Sequence, residues 1–389
     1  MPDDLTSENP FVRYRERLDS YLVALSNGWS DAQFVALVEQ MDTAVAAVEG
    51  HGFARTPLVA GSALAKAAGL DCKLVIKNDT GNVGGSHKSR HLFGLALHHA
   101  VADPPGFSPS TSQPLAIASC GNAALSASVI AAALGQELHV FVPTWADQSI
   151  VDRLQANGAT VNACERRDTE LGDPAFLRYR EAVEAGARPF TVQGSEVPAV
   201  IDGARTLGWE IGEELATAQG ATAHIDVIYL QVGGGAFATA VSMGLLDAVD
   251  GGWLNAPPRI IAVQPEVAHP LVRAWNLLVG ANGEVDATAI MQAARANPDA
   301  YMTAWENPPP SFASGILDDI TYDWLGVLEA MVRTGGRAIC ATEDQFHRAH
   351  ELALQATDIA ASPTGTSGFA GLLAQPPAAG ERAVVVFTG

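Results

Sequence analysis

Short apolar runs of strand length recur along the chain and alternate with segments of helical period. Parallel strands that are covered by helices on both faces show such continuous apolar runs instead of a strict apolar–polar alternation. Their alternation with helices predicts an α/β fold with mostly parallel sheets. The predicted strands are residues 74–76, 115–118, 138–142, 225–232, 260–263 and 383–387.

Two of the intervening helices have clear sequence signals. Residues 123–134 are rich in alanine, and residues 147–157 end at Gly158, where a glycine cap is expected. Two other stretches interrupt the pattern. Residues 103–114 are rich in proline, serine and glycine, and we expect them to cross between two lobes; residues 274–314 contain three consecutive prolines and are expected to form an irregular insertion.

Charge and hydropathy exclude several classes of partner. The chain has 389 residues with 43 acidic and 23 basic side chains, which gives a net charge of −20. A surface of that charge repels phosphate backbones and anionic headgroups, so nucleic-acid and membrane partners are not expected. The first ten residues lack the basic and apolar regions of a secretory signal, and we expect a cytoplasmic protein.

The four cysteines suggest neither a metal site nor a disulfide framework. They lie in separate segments without CxxC spacing, at Cys72, Cys120, Cys164 and Cys340. We expect reduced thiols and no bound metal.

A glycine turn followed by a lysine is the first candidate site. Residues 81–90, GNVGGSHKSR, follow a predicted strand and open a helical pattern, so that Lys88 is placed in the first helical turn. A cation there opposes the helix dipole, which favours the neutral amine that can form an imine with an aldehyde cofactor. A solvated surface lysine is the alternative interpretation of this segment on its own.

Two further turns connect a predicted strand to a predicted helix. In residues 118–124, ASCGNAA, free backbone N–H groups can hold a carboxylate, although an ordinary N-cap would explain the same residues. In residues 231–236, QVGGGA, backbone amides can close around a phosphate, although a tight strand-to-helix crossing also requires glycines.

Taken together and in this order, the three turns resemble the fold type II pyridoxal-phosphate enzymes. This family includes tryptophan synthase β subunits, threonine synthases, serine and threonine dehydratases and cysteine synthases. The resemblance covers nearly the whole chain, since further segments are similar to family elements: residues 56–58, 77–79, 202–203 with Glu210, 263–266, 362–365 and 386–389.

The resemblance implies a role for individual residues around pyridoxal 5'-phosphate. Lys88 would hold this cofactor as a Schiff base and move the α-proton, and Asn122 would contact its phenolic oxygen. Thr388 would meet the pyridine nitrogen, and a hydroxyl there suits elimination and replacement better than transamination. The phosphate would be held by Gly233, Gly234, Gly235 and Ala236.

The resemblance also implies which residues contact the substrate. One loop would grip the substrate carboxylate, and it consists of Ser119, Cys120, Gly121 and Asn122. Ser86 and His87 precede the lysine, and for His87 packing without acid/base work is an open alternative. Ser314 stands where the family has an acid in an Ala-Asp-Gly segment. Gln264 stands where metal-dependent members have a glutamate, so a divalent site is not expected.

The family implies two domains, each with a mostly parallel twisted sheet flanked by helices, and a homodimer. Residues 1–104 and 193–389 would form a large, discontinuous cofactor-binding domain. Residues 105–192 would form a small mobile domain that carries the substrate-carboxylate loop.

The expected reaction is elimination from a small hydroxy- or amino-substituted amino acid through an aminoacrylate intermediate. The Ala-x-Gly-Ile segment at 313–316 is shared with dehydratases and favours this ammonia-lyase type of reaction. A synthase of the β-replacement or threonine synthase type is the alternative, because Ala-Ser-x-Gly-Asn at 118–122 is similar to threonine synthases. A non-catalytic homologue is a third possibility, which the retained site residues argue against.

Overall fold

A computed structural model describes residues 6–102, 104–105, 113–168, 170, 172–220, 223–280, 286–306 and 308–389. The chain divides into two compact units. Unit 1 consists of Met1–Arg55 and Asn82–Thr206, and unit 2 consists of Thr56–Gly81 and Leu207–Gly389.

The strands within the described residues are, in chain order, β1 (Leu58–Ala60), β2 (Lys73–Asn78), β3 (Leu115–Ala118), β4 (Leu138–Pro143), β5 (Thr160–Cys164), β6 (Arg188–Pro189), β7 (Val227–Gln231), β8 (Arg259–Pro265), β9 (Arg337–Ala341) and β10 (Arg382–Phe387).

The α-helices within the same residues are α1 (Pro10–Arg13), α2 (Asp19–Ser26), α3 (Asp31–Glu49), α4 (Ser62–Ala67), α5 (Lys88–Val101), α6 (Asn122–Ala133), α7 (Gln148–Ala156), α8 (Pro174–Glu184), α9 (Val200–Ala204), α10 (Thr206–Gln219), α11 (Ala236–Asp250), α12 (Pro270–Val279), α13 (Ala287–Ala296), α14 (Pro298–Tyr301), α15 (Trp324–Thr334), α16 (Glu343–Ala356) and α17 (Ser367–Ala374).

Each unit contains one sheet. The sheet of unit 1 has the strand order β5-β4-β3-β6, and all its neighbouring strands are parallel. The sheet of unit 2 has the order β1-β2-β10-β7-β8-β9, in which only β1 and β2 pair antiparallel. The predicted α/β fold with mostly parallel sheets is therefore confirmed.

All six predicted strands are present, whereas β1, β5, β6 and β9 were not predicted. The reason is visible in the burial of the strands. The central strand β10 is buried at every residue from Ala383 to Phe387, so its sequence is continuously apolar. The edge strand β5 is buried only at Cys164 and includes polar Thr160 and Asn162, so it has no such apolar run.

The prediction of an irregular insertion at residues 274–314 is wrong for the described residues from 274 to 301, whereas the described residues from 302 to 313 have neither helix nor strand. This stretch contains the end of α12 and the whole of α13 and α14. Asp286 caps α13 by accepting hydrogen bonds from the N–H groups of Thr288 and Ala289, both at 3.0 Å. Pro298 starts α14, since proline is well tolerated in the first turn of a helix.

The predicted domain boundaries stay a prediction. Strands β3 to β6 lie inside residues 105–192, and the strands of the other sheet lie outside them. The compact unit that contains β3 to β6 is larger, because it also includes Met1–Arg55, residues 82–104 and residues 193–206. The predicted crossing at 103–114 falls mostly outside the described residues. No helix in the described part of the chain is long and apolar enough to span a membrane.

Candidate functional site

The lysine turn of unit 1 has the backbone that the sequence predicts. A short 3-10 turn, Val83–Gly85, precedes α5, and both Gly84 (φ 64°) and Gly85 (φ 71°) have left-handed conformations that favour glycine. Lys88 is the first residue of α5. The glycines are thus required by the turn that delivers Lys88 to a helix N-terminus.

Side-chain hydrogen bonds hold this turn in shape. The Asn82 amide donates to the Ser86 carbonyl at 3.0 Å and to the Ser89 hydroxyl at 3.2 Å. The Gly84 N–H donates to Glu49 on α3 at 2.9 Å. The turn also packs on α6, since a Cβ added at Gly84 would lie 3.0 Å from the Ser126 hydroxyl.

Several buried polar atoms around the lysine turn lack a hydrogen-bond partner within the described residues. They include Asn82 Oδ1, Ser86 Oγ and His91 Nε2. Buried polar groups in folded proteins are nearly always paired, so the unpaired atoms at this turn are places where a polar ligand or a water molecule can complete the hydrogen bonding.

Two buried histidines keep neutral imidazoles beside Lys88. Burial, and after it the charge of Lys88, lowers the pKa of His87 well below its ordinary value and that of His91 to about 3. The two rings lie 6.0 Å apart, centre to centre. His91 pairs through Nδ1 with the Val200 carbonyl at 2.9 Å, so Nδ1 carries the proton and Nε2 is an acceptor. The position of His91 was not predicted from the sequence.

The loop of Ser119–Gly121 in unit 1 joins β3 to α6, and its Gly121 N–H donates to the Ser119 hydroxyl at 3.3 Å. No side chain caps α6 at Gly121, so the ordinary N-cap interpretation does not apply. The loop is tied to β4, because the Ser119 N–H donates to the Phe141 carbonyl at 3.2 Å. Burial raises the pKa of Cys120, which therefore keeps its thiol proton at neutral pH. Asn122 is the first residue of α6.

The glycine loop of unit 2 joins β7 to α11 and also lacks a side-chain cap. Gly235 has φ 98°, and α11 begins at Ala236. A side chain at Gly233 would overlap the Asp318 carboxylate and lie 2.9 Å from Ile316 Cα. No side chain caps the start of this 15-residue helix, and an uncapped helix N-terminus is an arrangement that binds phosphate.

Asp318, whose carboxylate lies beside Gly233, was not predicted. It follows the recognised Ala-x-Gly-Ile segment by two residues, and nothing in the sequence distinguishes it from other loop acids. Ser314, which was predicted, is exposed and begins the 3-10 turn Ser314–Ile316. The N–H of Gly315 in that turn donates to the Thr364 hydroxyl at 3.0 Å.

Thr388 lies at the buried end of the C-terminal strand, as predicted. It is 1% exposed and directly follows β10. The Asp79 N–H donates to the Phe387 carbonyl at 2.7 Å, and the Ser362 N–H donates to the Thr388 carbonyl at 3.2 Å. The end of the chain is therefore held in the core of unit 2.

A buried ion cluster joins three of the family-like segments of unit 2. The Lys77 ammonium lies 2.7 Å from Glu210 and 3.0 Å from Glu214, and Lys77 and Glu210 are fully buried. Thr56 donates through its N–H to Glu210 at 3.1 Å and through its hydroxyl to Asp79 at 3.1 Å. Since Asp79 also binds the Phe387 carbonyl, this cluster supports the strand that carries Thr388.

The predicted residues thus form one set in each unit. Unit 1 contains Ser86, His87 and Lys88 at one turn and Ser119, Cys120, Gly121 and Asn122 at another. Unit 2 contains Gly233, Gly234, Gly235, Ala236, Ser314 and Thr388. No group of three or more His, Cys, Asp or Glu side chains with metal-binding geometry occurs among the residues that the structure describes.

Comparisons of the sequence with known proteins point to one family. Residues 51–389 match the family described as "Pyridoxal-phosphate dependent enzyme". A threonine synthase from Mycobacterium tuberculosis is 25% identical over 318 residues, which cover 82% of this chain and 75% of that protein. A serine dehydratase-like protein from Rattus norvegicus is 28% identical over 214 residues, which cover 55% of this chain and 57% of that protein.

Solved structures share the fold. Threonine deaminase isoform 2 from Solanum lycopersicum matches with a TM-score of 0.65 and 18% identity, covering 91% of this chain and 84% of that one. Diaminopropionate ammonia lyase from Escherichia coli matches with a TM-score of 0.63 and 18% identity, covering 91% of this chain and 88% of that one. The predicted fold type II architecture is confirmed by these likenesses.

Proposed function

Because the chain belongs to the family of pyridoxal-phosphate dependent enzymes, we propose that it is a lyase that removes a leaving group from the β-carbon of a small hydroxy- or amino-substituted amino acid. The observation that supports elimination is the burial of Thr388. Its neutral hydroxyl stands at the position that, in the family, faces the pyridine nitrogen. A hydroxyl leaves that nitrogen unprotonated, which suits elimination better than transamination.

The residues present fit this cofactor. The glycine loop offers the uncapped N-terminus of α11 to a phosphate, and the lysine turn has buried polar atoms whose hydrogen bonding a ligand would complete. When bound, pyridoxal phosphate supplies an electron sink for charge at the substrate α-carbon.

We assign the chemistry to Lys88. Its amine would hold the cofactor through the aldehyde group, and the same amine would move the proton of the substrate α-carbon. Position at a helix N-terminus disfavours its charged form, and the neutral rings of His87 and His91 add no positive charge. His87 and Ser86 contact the substrate in this proposal, and His87 does so as a hydrogen-bonding group without exchanging a proton.

We assign binding to the two loops. The phosphate is held by Gly233, Gly234, Gly235 and Ala236, and Asn122 donates to the phenolic oxygen. The loop of Ser119, Cys120, Gly121 and Asn122 holds the substrate carboxylate at the start of α6, where no side chain caps the helix. Ser314 lies over the substrate, and its turn is anchored by the bond between Gly315 and Thr364.

A threonine synthase-type reaction is the second candidate. The observation that favours it is coverage: the threonine synthase relative aligns with 82% of this chain, whereas the serine dehydratase-like relative aligns with 55%. In this reaction a phosphate leaves from the γ-carbon and the amino group stays on the product.

A product screen separates the two candidates. The protein loaded with pyridoxal phosphate is incubated with serine, threonine, diaminopropionate, O-acetylserine or phosphohomoserine, and ammonia, 2-oxo acid and phosphate are measured. A lyase releases ammonia with a 2-oxo acid, whereas the synthase releases phosphate and no ammonia. Lys88→Ala is the inactive control. Cofactor-loaded protein that turns over none of these compounds contradicts both candidates.

The mobile domain, the oligomeric state and the location are also proposals. We propose that residues 105–192 form a small mobile domain that moves when substrate binds, which a change in amide exchange across residues 113–192 on adding substrate would support. We also propose a homodimer and a cytoplasmic location. Light scattering on the purified protein tests whether it is a homodimer.

A further inference from the structure

The turn Ser362–Gly365 is packed against the peptide group of Thr388. A Cβ added at Gly365 would overlap the Thr388 carbonyl oxygen, and it would lie 2.7 Å from the carbonyl carbon and 3.0 Å from the nitrogen. The N–H of Ser362 donates to that same carbonyl. Only a glycine allows this approach, so the turn limits where Thr388 can lie.

The same turn contacts the segment that contains Ser314. Thr364 accepts the Gly315 N–H at 3.0 Å, and a Cβ at Gly315 would lie 2.9 Å from the Thr364 hydroxyl. Ile316, the next residue, lies so close to Gly233 that a Cβ there would be 2.9 Å from Ile316 Cα. Within unit 2, a continuous series of close contacts therefore joins the glycine loop to Thr388.

The sheet alone does not place Thr388. Pairing between β10 and β7, the strand that leads into the glycine loop, ends at Val385 with Tyr229, and pairing between β10 and β2 ends at Phe387 with Asn78. Thr388 lies beyond both ladders. Beyond the ladders, its position relative to the glycine loop is limited by the turn and by the 3-10 segment Ser314–Ile316 that the turn contacts.

We propose that Thr364 and Gly365 are positioning residues, which set the distance between the Thr388 hydroxyl and the phosphate-binding glycine loop. The inference rests on the proposed function, because it takes Thr388 as the partner of the pyridine nitrogen. Pyridoxal phosphate is a rigid ligand, whose ring nitrogen would meet Thr388 and whose phosphate would meet the glycine loop. The turn determines the spacing between these two groups.

Gly336 provides a matched control. A Cβ at Gly336 would overlap the Ile260 carbonyl oxygen and lie 2.8 Å from its carbon and 2.9 Å from its nitrogen, nearly the geometry found at Gly365. Gly336 directly precedes β9, so it lies at the end of the sheet where the parallel strands begin, whereas the glycine loop follows the opposite end of β7. Gly365→Ala and Gly336→Ala should therefore destabilise unit 2 to a similar extent.

The experiment compares the two variants by thermal unfolding without cofactor and by titration with pyridoxal phosphate, followed by visible absorbance. We expect the Kd to rise by about tenfold in Gly365→Ala, with a shifted absorption maximum, and to change by less than about twofold in Gly336→Ala. Gly365→Ala should add nothing further in a Thr388→Val background, because it acts through Thr388.

A milder variant keeps the test decisive if Gly365→Ala does not fold. Thr364→Val removes the acceptor of the Gly315 N–H at constant shape, and we expect a rise in Kd of about threefold. Three results would overturn the inference while the proposed function stands. The first is equal Kd values and spectra for Gly365→Ala and Gly336→Ala, and the second is an unchanged Kd in Thr364→Val. The third is additive effects of Gly365→Ala and Thr388→Val on the Kd. A wild-type protein that binds no pyridoxal phosphate would instead overturn the proposed function, and this inference with it.

Discussion

Lys77 and Lys88 occupy opposite electrostatic environments. Lys77 in unit 2 is fully buried between the carboxylates of Glu210 and Glu214. Lys88 in unit 1 begins α5 and has as neighbours the imidazoles of His87 and His91, whose pKa values burial and the charge of Lys88 depress.

This difference separates a structural lysine from a chemical one. Two carboxylates hold the Lys77 side chain in a buried ion cluster, so Lys77 joins segments of the fold. The helix N-terminus disfavours a positive charge at Lys88, and a neutral amine is the form that reacts with an aldehyde.

The largest expected effect is the loss of the charged partner in unit 2. Lys77→Met should leave the buried Glu210 carboxylate without its cation, which costs about 3–5 kcal/mol of unfolding free energy. Urea unfolding measures this loss. The control is Lys73→Met, at the exposed start of the same strand, which should change stability by less than about 0.5 kcal/mol. Equal stabilities for the two variants would mean that the ion cluster does not support unit 2.

A smaller effect is expected from the neutral histidines of unit 1. In the folded protein the pKa of His91 is about 3 and that of His99 about 4, both below the ordinary value of 6.5, mainly because of burial. As pH falls below 6.5, the unfolded chain binds protons that the folded chain does not, so stability falls. Between pH 6.5 and 5 each such histidine should cost about 2 kcal/mol.

His91→Asn tests this acid sensitivity, because asparagine can still donate to the Val200 carbonyl but does not titrate. Unfolding free energies measured from pH 7 to 5 should fall less steeply in this variant than in the wild type. His51→Asn changes an exposed histidine of the same unit and should leave the slope as it is. A wild-type slope in His91→Asn would show that His91 is protonated in the folded protein.

The smallest effects are expected at Thr388, the proposed partner of the cofactor ring nitrogen. A charged and a neutral side chain at this position should affect that nitrogen differently. Thr388→Asp would favour a protonated ring nitrogen by charge pairing, so turnover by elimination should fall by about tenfold. Thr388→Ser keeps a neutral hydroxyl and should be nearly silent. Steady-state rates and the visible spectrum report both changes, and a fully active Thr388→Asp would remove Thr388 from the proposed site.

The sequence predicted what depends on local pattern. Continuous apolar runs identified the central strands, such as β10, and glycines before Lys88 identified the start of α5. Features that depend on distant partners were missed. The contact of Gly365 with Thr388, the position of Asp318 beside Gly233 and the bond from His91 to Val200 each join segments that are remote in sequence. The edge strands β5 and β9 were missed because partial exposure relaxes the apolar pattern.

The central claim is that Lys88 is the residue that binds pyridoxal phosphate, and the composition of the chain makes a direct test simple. The chain contains only four lysines, Lys66, Lys73, Lys77 and Lys88. Borohydride reduction of the cofactor-loaded protein, followed by peptide mapping, identifies which of them carries the adduct. Our account predicts an adduct on Lys88, none on the buried Lys77, and no adduct at stoichiometric yield on the exposed Lys66 and Lys73. A stoichiometric adduct on any of these three, with Lys88 unmodified, would contradict it.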